Sequence, residues 1–308
     1  AFVPSVFWLL LLRLLNGVFS GFVPNSTALI ASQVPKNQSG YTLGTLSTGT
    51  VAGTLMGPLL GGLIAEQFGM RNVFLLVGFF LFLVSVLTWW GIEEDYQQIS
   101  KEEHLSSWEL LASIQHKDIL LGLFLTSMTI QMIGQSISPI LPLYVRELGQ
   151  SDNVIFVSGL IVSAMGISSI LTSGWIGKLG DKIGNHRLLL LALLYSGILY
   201  IFCALAQTPF QLGLLRFLFG IGTGALMPGV TALLNRMTPK EGISRIFSYN
   251  QLFFYVGGVL GPMMGSSIAM HVNYHWVFYG TAILAFIDLA FLLFIFRKYL
   301  KVREISAH

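Results

Sequence analysis

The sequence predicts an all-α membrane protein, and three observations support this fold class. First, 54% of the 308 residues are hydrophobic and only 10% are charged, whereas an average soluble domain has about 25% charged residues. Second, the mean hydropathy is +0.74. Third, apolar runs of about 20 residues, the length of helix that crosses the hydrocarbon core, recur along the chain. Barrel strands would be shorter and would alternate in polarity, so we interpret these runs as helices.

Nine apolar runs are long enough to be transmembrane helices. The first is too long, and too polar at its end, to be a signal peptide. The nine runs cover residues 7–31, 41–65, 73–91, 118–145, 154–176, 188–206, 212–236, 245–270 and 276–296.

The basic residues predict the orientation of these spans, because cytoplasmic loops are enriched in Lys and Arg. If the loop 32–40 is cytoplasmic, thirteen of the 17 basic residues lie inside, Arg71 and Arg146 lie outside, and Arg13 and Arg216 lie within spans. The N-terminus is then outside and the C-terminus is cytoplasmic. The thirteen are Lys36, Lys101, Lys117, Lys178, Lys182, Arg187, Arg236, Lys240, Arg245, Arg297, Lys298, Lys301 and Arg303.

The longest hydrophilic stretch divides the spans into three before it and six after it. We interpret it as a solvated linker, although 106–114 also has the pattern of a short amphipathic helix on the membrane surface. The predicted organisation is a partial N-terminal half over 1–91, a central cytoplasmic loop over 92–117, a C-terminal half over 118–296 and a cytoplasmic tail over 297–308.

The rest of the composition excludes several function classes. The single cysteine, Cys203, excludes a disulfide scaffold and a cysteine metal cluster. A net charge of +3 is too small to indicate nucleic-acid binding. There is no Walker loop for ATP, and the six His residues do not fall in a metal-ligand spacing. We therefore predict no enzyme activity, no metal and no cofactor.

Two glycine-rich stretches recur further along the chain, the first at a shift of 203 residues and the second at a shift of 204, which indicates an internal repeat. Both copies begin outside and run inward, so the repeat is parallel. The matching positions are Arg13, Gly17 and Gly21 with Arg216, Gly220 and Gly224, and Gly53, Gly57, Pro58 and Gly61 with Gly257, Gly261, Pro262 and Gly265.

These motifs resemble those of a known transporter family. The stretch from Gly53 to Gly62 is similar to the antiporter motif of proton-coupled drug exporters in the major facilitator superfamily. The pattern Arg13-x-x-x-Gly17 resembles the arginine motif of the same exporters. The segment 177–187 resembles the loop motif of that superfamily, and 21–48 with 245–250 resembles the MdtG-type multidrug-resistance proteins. The resemblance covers the whole chain and implies the major facilitator fold of twelve helices in two parallel halves.

The repeat also predicts that part of the first half is missing. The second half begins near Asp118, and Ala204 aligns with Ala1, so about 86 residues are expected before Ala1. That length is enough for three helices. We therefore expect the chain to hold helices 4–12 of the twelve, as an N-terminally truncated fragment that does not form a sealed, coupled pore.

The antiporter motif has a physical interpretation beside the family one. Glycines at i, i+4 and i+8 leave a smooth helix face on which another backbone packs closely, and proline adds a kink. Tight packing alone explains such a pattern. The resemblance implies a further role, sealing the pore in one state, for Gly53, Gly57, Pro58, Gly61 and Gly62.

Two charged residues are candidates for the proton relay. A charge at the centre of a span costs about 2.5–3.5 kcal/mol on insertion scales, unless the side chain extends to the interface. For Arg13 the resemblance implies a role in proton relay. Asp288 is the only carboxylate well inside a predicted span, and it either titrates during transport or bonds a neighbouring helix.

The loop motif contributes a candidate conformational latch. The resemblance implies that Gly177, Asp181, Gly184 and Arg187 hold one conformation and release it in the other. The alternative is a basic topology loop with one counter-ion. Asn185 stands where a basic residue is usual, which predicts fewer ion pairs around this motif.

Polar and aromatic residues on two spans are candidates for the substrate cavity, because polar groups in lipid prefer the bundle interior. We select Gln131, Gln135, Asn250 and Phe254. Amides and aromatics without a fixed charge suit bulky amphipathic compounds. Interhelical hydrogen bonds and core packing are the alternative for each.

We therefore predict a drug:proton antiporter of the bacterial plasma membrane, monomeric, with alternating access and the proton gradient as its energy source. Its partners would be lipophilic or cationic drugs, protons and the lipid bilayer. A nutrient or sugar symporter is the first alternative, which the antiporter motif disfavours. A membrane sensor or assembly protein is the second, which would need a sizeable soluble domain.

Overall fold

The computed structural model describes residues 3, 5–19, 53, 56–91, 117–238 and 243–305. Every regular element in these ranges is a helix, and residues 56–68 are helical as well. Residues 20–31 of the predicted span 7–31, residues 41–52 and 54–55 of the predicted span 41–65, and the stretch 92–116 lie outside the described residues. The helices are α1 (Val6–Phe19), α2 (Met70–Gly91), α3 (Lys117–Gln135), α4 (Leu141–Glu147), α5 (Val154–Ile183), α6 (Asn185–Ala204), α7 (Pro209–Met237), α8 (Ile243–His271) and α9 (Tyr274–Ile305).

Seven helices of the described part are long and apolar enough to cross a membrane. Their composition matches that of lipid-embedded helices, which satisfy every backbone group internally. The predicted all-α membrane class is therefore confirmed. The seven are Met70–Gly91, Lys117–Gln135, Val154–Thr172, Asn185–Ala204, Pro209–Asn235, Arg245–His271 and Tyr274–Arg297.

The chain forms two compact units, Ala1–Ser100 and Lys101–His308. In the first unit, a sharp turn at Gly69 joins the helical residues 56–68 to α2. Gly69 has φ +84°, a conformation that favours glycine, and its N–H donates to the Ala65 carbonyl at 3.0 Å. The Asn72 side chain donates to the Phe68 carbonyl at 2.6 Å, which caps the end of the preceding helix.

In the second unit, α3 packs against α8, α5 against α7, and α6 against both α7 and α9. Two buried apolar clusters hold these helices together. The first cluster contains the beginnings of α3, α6 and α8 and the ends of α7 and α9. The second contains the opposite ends of α3, α6, α7 and α9 together with α4.

Glycines bring the backbones of α8 and α3 together. A methyl group added at Gly261 would lie 2.7 Å from the Met132 carbonyl oxygen. A methyl group at Gly257 or Gly265 would overlap the carbonyl oxygen of Met128 or Ser136. The second copy of the glycine motif is therefore a backbone contact surface, as small-residue stripes in membrane helices commonly are.

The predicted span 118–145 is wrong as a single helix. The α-helix ends at Gln135, residues 136–140 form turns, and α4 begins at Leu141. Pro139 causes the break, because its nitrogen has no hydrogen to donate to the Gln135 carbonyl. That carbonyl accepts the Ser138 N–H at 3.2 Å instead.

The segment 177–187 is helical where we expected a loop. The helix α5 continues through Ile183, and Gly184 alone separates it from α6. A helix satisfies its own backbone hydrogen bonds, so it can continue past the apolar run. Gly184 then reverses the chain with φ +94°, a conformation that disfavours other residues.

The close contact of α8 with α3 gives a stability prediction. Gly257→Ala should lower the melting temperature of the purified protein by several degrees, because overpacking a tight contact costs about 1–3 kcal/mol. Gly258→Ala is the matched control, since a methyl group there would meet the Gln131 side chain at an ordinary 3.6 Å. Both variants gain the same helix propensity. Tryptophan fluorescence melting in detergent compares them, and equal melting temperatures would contradict the backbone contact.

Candidate functional site

Two adjacent hydroxyl residues on α3 link it to two other helices. The Thr126 hydroxyl donates to Asp288 Oδ1 on α9 at 3.1 Å. The Ser127 hydroxyl donates to Asn250 Oδ1 on α8 at 2.7 Å. All four side chains are buried, and Thr126 and Ser127 are 0% exposed. The pair therefore forms a polar junction of three helices inside an apolar unit.

The Asp288 carboxyl has few partners for a buried acid. The side chain is 4% exposed, and its second oxygen, Oδ2, has no hydrogen-bond partner among the described residues. Buried carboxylates usually accept several hydrogen bonds or pair with a cation. In the part of the chain that the structure describes, no Lys, Arg or His lies within salt-bridge distance of it.

The cavity candidates lie on the same two helices as this junction. Asn250 is buried in its bond to Ser127, whereas Gln131, Gln135 and Phe254 are half-buried. Gln131 faces Gly258 of α8, and Gln135 is the last residue of α3 before the break. Phe254 makes an edge contact with Tyr255, at 6.2 Å between ring centroids.

The antiporter-motif residues lie in the first unit. Gly53 and Gly57 are exposed, Pro58 and Gly61 are half-buried, and Gly62 is buried. A methyl group at Gly53, Gly57 or Gly61 would meet no atom within 4 Å among the described residues. Among the described residues no atom covers this glycine face, whereas α3 covers its counterpart on α8.

The two motif arginines have different surroundings. Arg13 on α1 is exposed and lies over the Phe74 ring at 5.7 Å. Arg216 on α7 is 4% exposed. Its Nη1 donates to the Tyr200 hydroxyl at 3.3 Å, and its guanidinium lies 5.7 Å from the Tyr200 and Phe219 ring centroids.

The latch candidates surround the α5–α6 junction. Gly177 and Asp181 are in the last turns of α5, but their side-chain environments lie outside what the structure describes. Gly184 forms the turn, and Arg187 is exposed in the first turn of α6. Asn185 is buried, with its Oδ1 2.5 Å from where a methyl group at Gly180 would lie.

A second polar cluster lies at the other end of the unit. Tyr144 of α4 is fully buried, and its hydroxyl donates to the carbonyls of Cys203 and Ala206, both at 3.4 Å. Burial raises the pKa of this hydroxyl, so it remains a donor. His275 Nδ1 lies 2.6 Å from the Ala204 carbonyl, and its Nε2 lies 3.9 Å from Glu147.

The described residues contain no group of His, Cys, Asp or Glu that would hold a metal ion.

Three residues of these clusters escape sequence analysis. Thr126, Ser127 and Tyr200 are ordinary members of apolar runs, and only the fold shows what they face. The sequence contains one weak signal for Thr126 and Ser127. Successive side chains of a helix point in directions about 100° apart, so two adjacent hydroxyls in a span can face two different neighbouring helices.

Comparison with known proteins identifies close relatives. The profile described as Major Facilitator Superfamily matches residues 1–171 and 119–307. The multi-drug resistance efflux pump PmrA of Streptococcus pneumoniae serotype 4 is 62% identical over 99% of this chain and 76% of its own length. The PmrA homolog of Lactococcus lactis is 52% identical over the same shares. The multidrug resistance protein MdtG of Salmonella arizonae is 47% identical over 90% of this chain and 69% of its own length.

The fold also matches a solved transporter structure. A bacterial homolog of the human lysosomal transporter Spinster, in its inward-facing and unoccupied conformation, superposes with a TM-score of 0.79. The match covers 97% of this chain and 79% of that one, at 18% sequence identity. At this identity the likeness concerns the fold alone, and it agrees with the predicted helical transporter architecture.

The Ser127–Asn250 bond gives a second prediction. In a double-mutant cycle with Ser127→Ala and Asn250→Ala, we expect an interaction free energy of about 0.6 kcal/mol, the average for such bonds between membrane helices. Equilibrium unfolding in mixed micelles measures it. Ser127→Ala combined with Tyr195→Phe is the control pair, because Tyr195 bonds the Leu218 carbonyl elsewhere and the two should be additive. Strict additivity of the Ser127 and Asn250 variants would contradict the bond.

Proposed function

The chain belongs to the major facilitator superfamily, and on this premise we propose that it is a multidrug efflux transporter that exchanges drugs for protons. The observation that carries the proposal is the 62% identity to a bacterial efflux pump over 99% of the chain. The relatives named above are efflux or multidrug-resistance proteins. This favours export over the nutrient-symporter and sensor alternatives.

We infer that the chain is a multi-pass protein of the bacterial plasma or inner membrane. We infer an N-terminus outside and a C-terminus in the cytoplasm from the thirteen basic residues that this orientation places inside. We also propose a division of the chain that follows from the predicted spans and the long hydrophilic stretch between them. It consists of a partial N-terminal half (1–91), a loop (92–117), a C-terminal half (118–296) and a tail (297–308).

We infer that Asp288 is the proton-binding residue of the second unit. An ionisable residue in a membrane helix is costly, and such residues commonly serve transport. One Asp288 oxygen is held by Thr126 while the other is without a partner among the described residues, so a proton can bind there without breaking an existing bond. Arg13 of the first unit is the second relay candidate, with its charge over the Phe74 ring.

We propose that drugs contact the polar and aromatic residues of α3 and α8. Gln131, Gln135 and Phe254 are half-buried, and they lie on the two helices that the Ser127–Asn250 bond joins. Amides and aromatic rings without a fixed charge accommodate lipophilic cations through hydrogen bonds and cation–π contacts. The chemistry therefore suits substrates of varied shape.

The repeat supports a packing role for the antiporter motif. Gly257, Gly261 and Gly265 bring α8 against the carbonyls of α3, and they correspond to Gly53, Gly57 and Gly61. We propose that the first copy, with Pro58 and Gly62, makes an equally close helix contact that limits leak. We further propose that the α5–α6 junction, with Gly177, Asp181, Gly184 and Arg187, is the conformational latch.

Export by proton exchange is tested directly in membrane vesicles. Inverted vesicles carrying the product of the complete gene should accumulate ethidium when their lumen is acidified, because outward proton flow through the exchanger drives dye inward. A protonophore should abolish the accumulation. Vesicles from cells with an empty vector are the control. Accumulation that persists without a pH gradient would contradict antiport.

The role of Asp288 is tested by removing its charge. Asp288→Asn keeps the size and one acceptor but cannot release a proton, so gradient-driven ethidium uptake should fall more than tenfold while downhill uptake continues. Asp152→Asn, in the exposed link before α5, is the matched control and should leave both rates unchanged. Full gradient-driven transport by the Asp288→Asn variant would exclude this residue as the proton site.

A further inference from the structure

The break between α3 and α4 frees a backbone carbonyl inside the membrane unit. The α3 ladder ends with the Ser136 N–H bonded to the Met132 carbonyl at 2.9 Å. The next carbonyl, that of Ile133, accepts two side-chain donors instead: the Tyr200 hydroxyl at 2.6 Å and the Ser136 hydroxyl at 3.2 Å. Since a buried carbonyl without a donor is strongly unfavourable, these hydroxyls stabilise the broken form.

Arg216 contacts the one of these two donors that comes from another helix, Tyr200. Its Nη1 donates to the Tyr200 hydroxyl at 3.3 Å, and Tyr200 is packed edge-on against Phe219 at 4.7 Å between centroids. A chain of hydrogen bonds thus runs from α7 through α6 to α3. A charged donor strengthens the next bond in such a chain, because it polarises the hydroxyl that it contacts.

The surroundings of Arg216 are unfavourable for a merely structural residue. In the described part of the chain it has no carboxylate partner, and its buried Nε has no acceptor. A well-packed apolar side chain commonly stabilises such a site as well as a buried charge does, or better. The charge therefore requires another explanation, and its described polar contacts are the Tyr200 hydroxyl and the Met165 sulfur.

The interruption of the helix between α3 and α4 determines where α4 lies. Tyr144 inserts into the second apolar cluster, with its ring 5.0 Å from that of Phe278 and its hydroxyl on the Cys203 carbonyl. Cys203 belongs to the same cluster and is 1% exposed. Docked α4 therefore helps to exclude solvent from the only thiol of these 308 residues.

An alternative arrangement of the same backbone is available. Without Tyr200, the Ile133 carbonyl has a natural donor in the Ile137 N–H, four residues ahead, as in a continuing α-helix. That bond would extend α3 by a residue and rotate the chain before Pro139. Such a change would displace α4, and the segment would then have two discrete arrangements.

We propose that Arg216 is a positioning residue of the transport cycle, which acts through the Tyr200 hydroxyl to hold the Ile133 carbonyl out of the helix and so keeps α4 docked over Cys203. The part of this proposal that concerns transport rests on the proposed efflux function. The part that concerns α4 does not, because the accessibility of Cys203 is measured without any drug or gradient.

The test is the rate at which N-ethylmaleimide labels Cys203 in lipid vesicles, followed by mass spectrometry of the peptide that contains it. The product of the complete gene is used. Tyr200→Phe and Arg216→Gln should each raise the rate about tenfold, the effect of losing one net hydrogen bond. The double variant should label no faster than Tyr200→Phe alone, because both act through one link. Arg216→Lys, which keeps a charged donor, should restore most of the slow rate.

Tyr195→Phe is the matched control. It removes a hydroxyl from the same helix that also donates to a backbone carbonyl, that of Leu218 at 3.0 Å, but not at the break. It should leave Cys203 labelling unchanged. Equal acceleration by Tyr195→Phe would indicate general loosening and overturn the proposal, as would an unchanged rate in Arg216→Gln.

A transport measurement separates positioning from stability. Arg216→Gln should lower the maximal gradient-driven ethidium rate severalfold and leave KM within about twofold, since Arg216 does not contact the proposed drug site. An unchanged maximal rate with accelerated labelling would overturn the transport part alone. Absence of transport in the unmodified protein, with the labelling differences intact, would refute the efflux function and leave the α4 assignment standing.

Discussion

A backbone carbonyl in lipid needs a hydrogen-bond donor, and the architecture of the second unit depends on how this requirement is met. Along α3 the helix supplies the donors itself, and the Met128 and Met132 carbonyl oxygens lie directly against glycines of α8. At Pro139 the helix cannot supply them. The Tyr200 hydroxyl of α6, which Arg216 of α7 contacts, then donates to the Ile133 carbonyl, so the end of α3 is also where α6 and α7 are linked to it.

In the described part of the second unit, two charged side chains are buried, Asp288 and Arg216. Asp288 is held by one hydroxyl from α3, and Arg216 by one hydroxyl from α6. Each has a polar atom without a partner among the described residues. Neither arrangement minimises the energy of a static bundle, since buried charges are most stable when fully paired. Both are consistent with groups whose partners change as a transporter moves between conformations.

The class of the fold follows from composition and run length, because lipid imposes helices on any long apolar segment. The glycine repeat predicts close backbone contact, which the structure shows for Gly257, Gly261 and Gly265. Sequence reasoning errs where local chemistry interrupts a run: Pro139 divides a predicted span, and α5 continues to Ile183 because polar residues do not by themselves end a helix. Pairings such as Thr126 with Asp288 depend on helix rotation and register, which periodicity in uniformly apolar helices scarcely records.

The helix contacts of the second unit resist shear through different groups. Glycine faces on α8 and α7 meet carbonyl oxygens of α3 and α5, and beside them Phe124 of α3 stacks on Phe253 of α8 and the Ser168 hydroxyl of α5 donates to the Phe217 carbonyl of α7. Between α6 and α9 the contact is of another kind, since the Phe286 ring fills the space beside Gly197, 2.8 Å from where a methyl group would lie. Small translations of packed helices avoid repacking only where no bulky group is trapped. Bulky or hydrogen-bonded groups are trapped at all three contacts, so α3 with α8, α5 with α7 and α6 with α9 should each move together as one rigid pair.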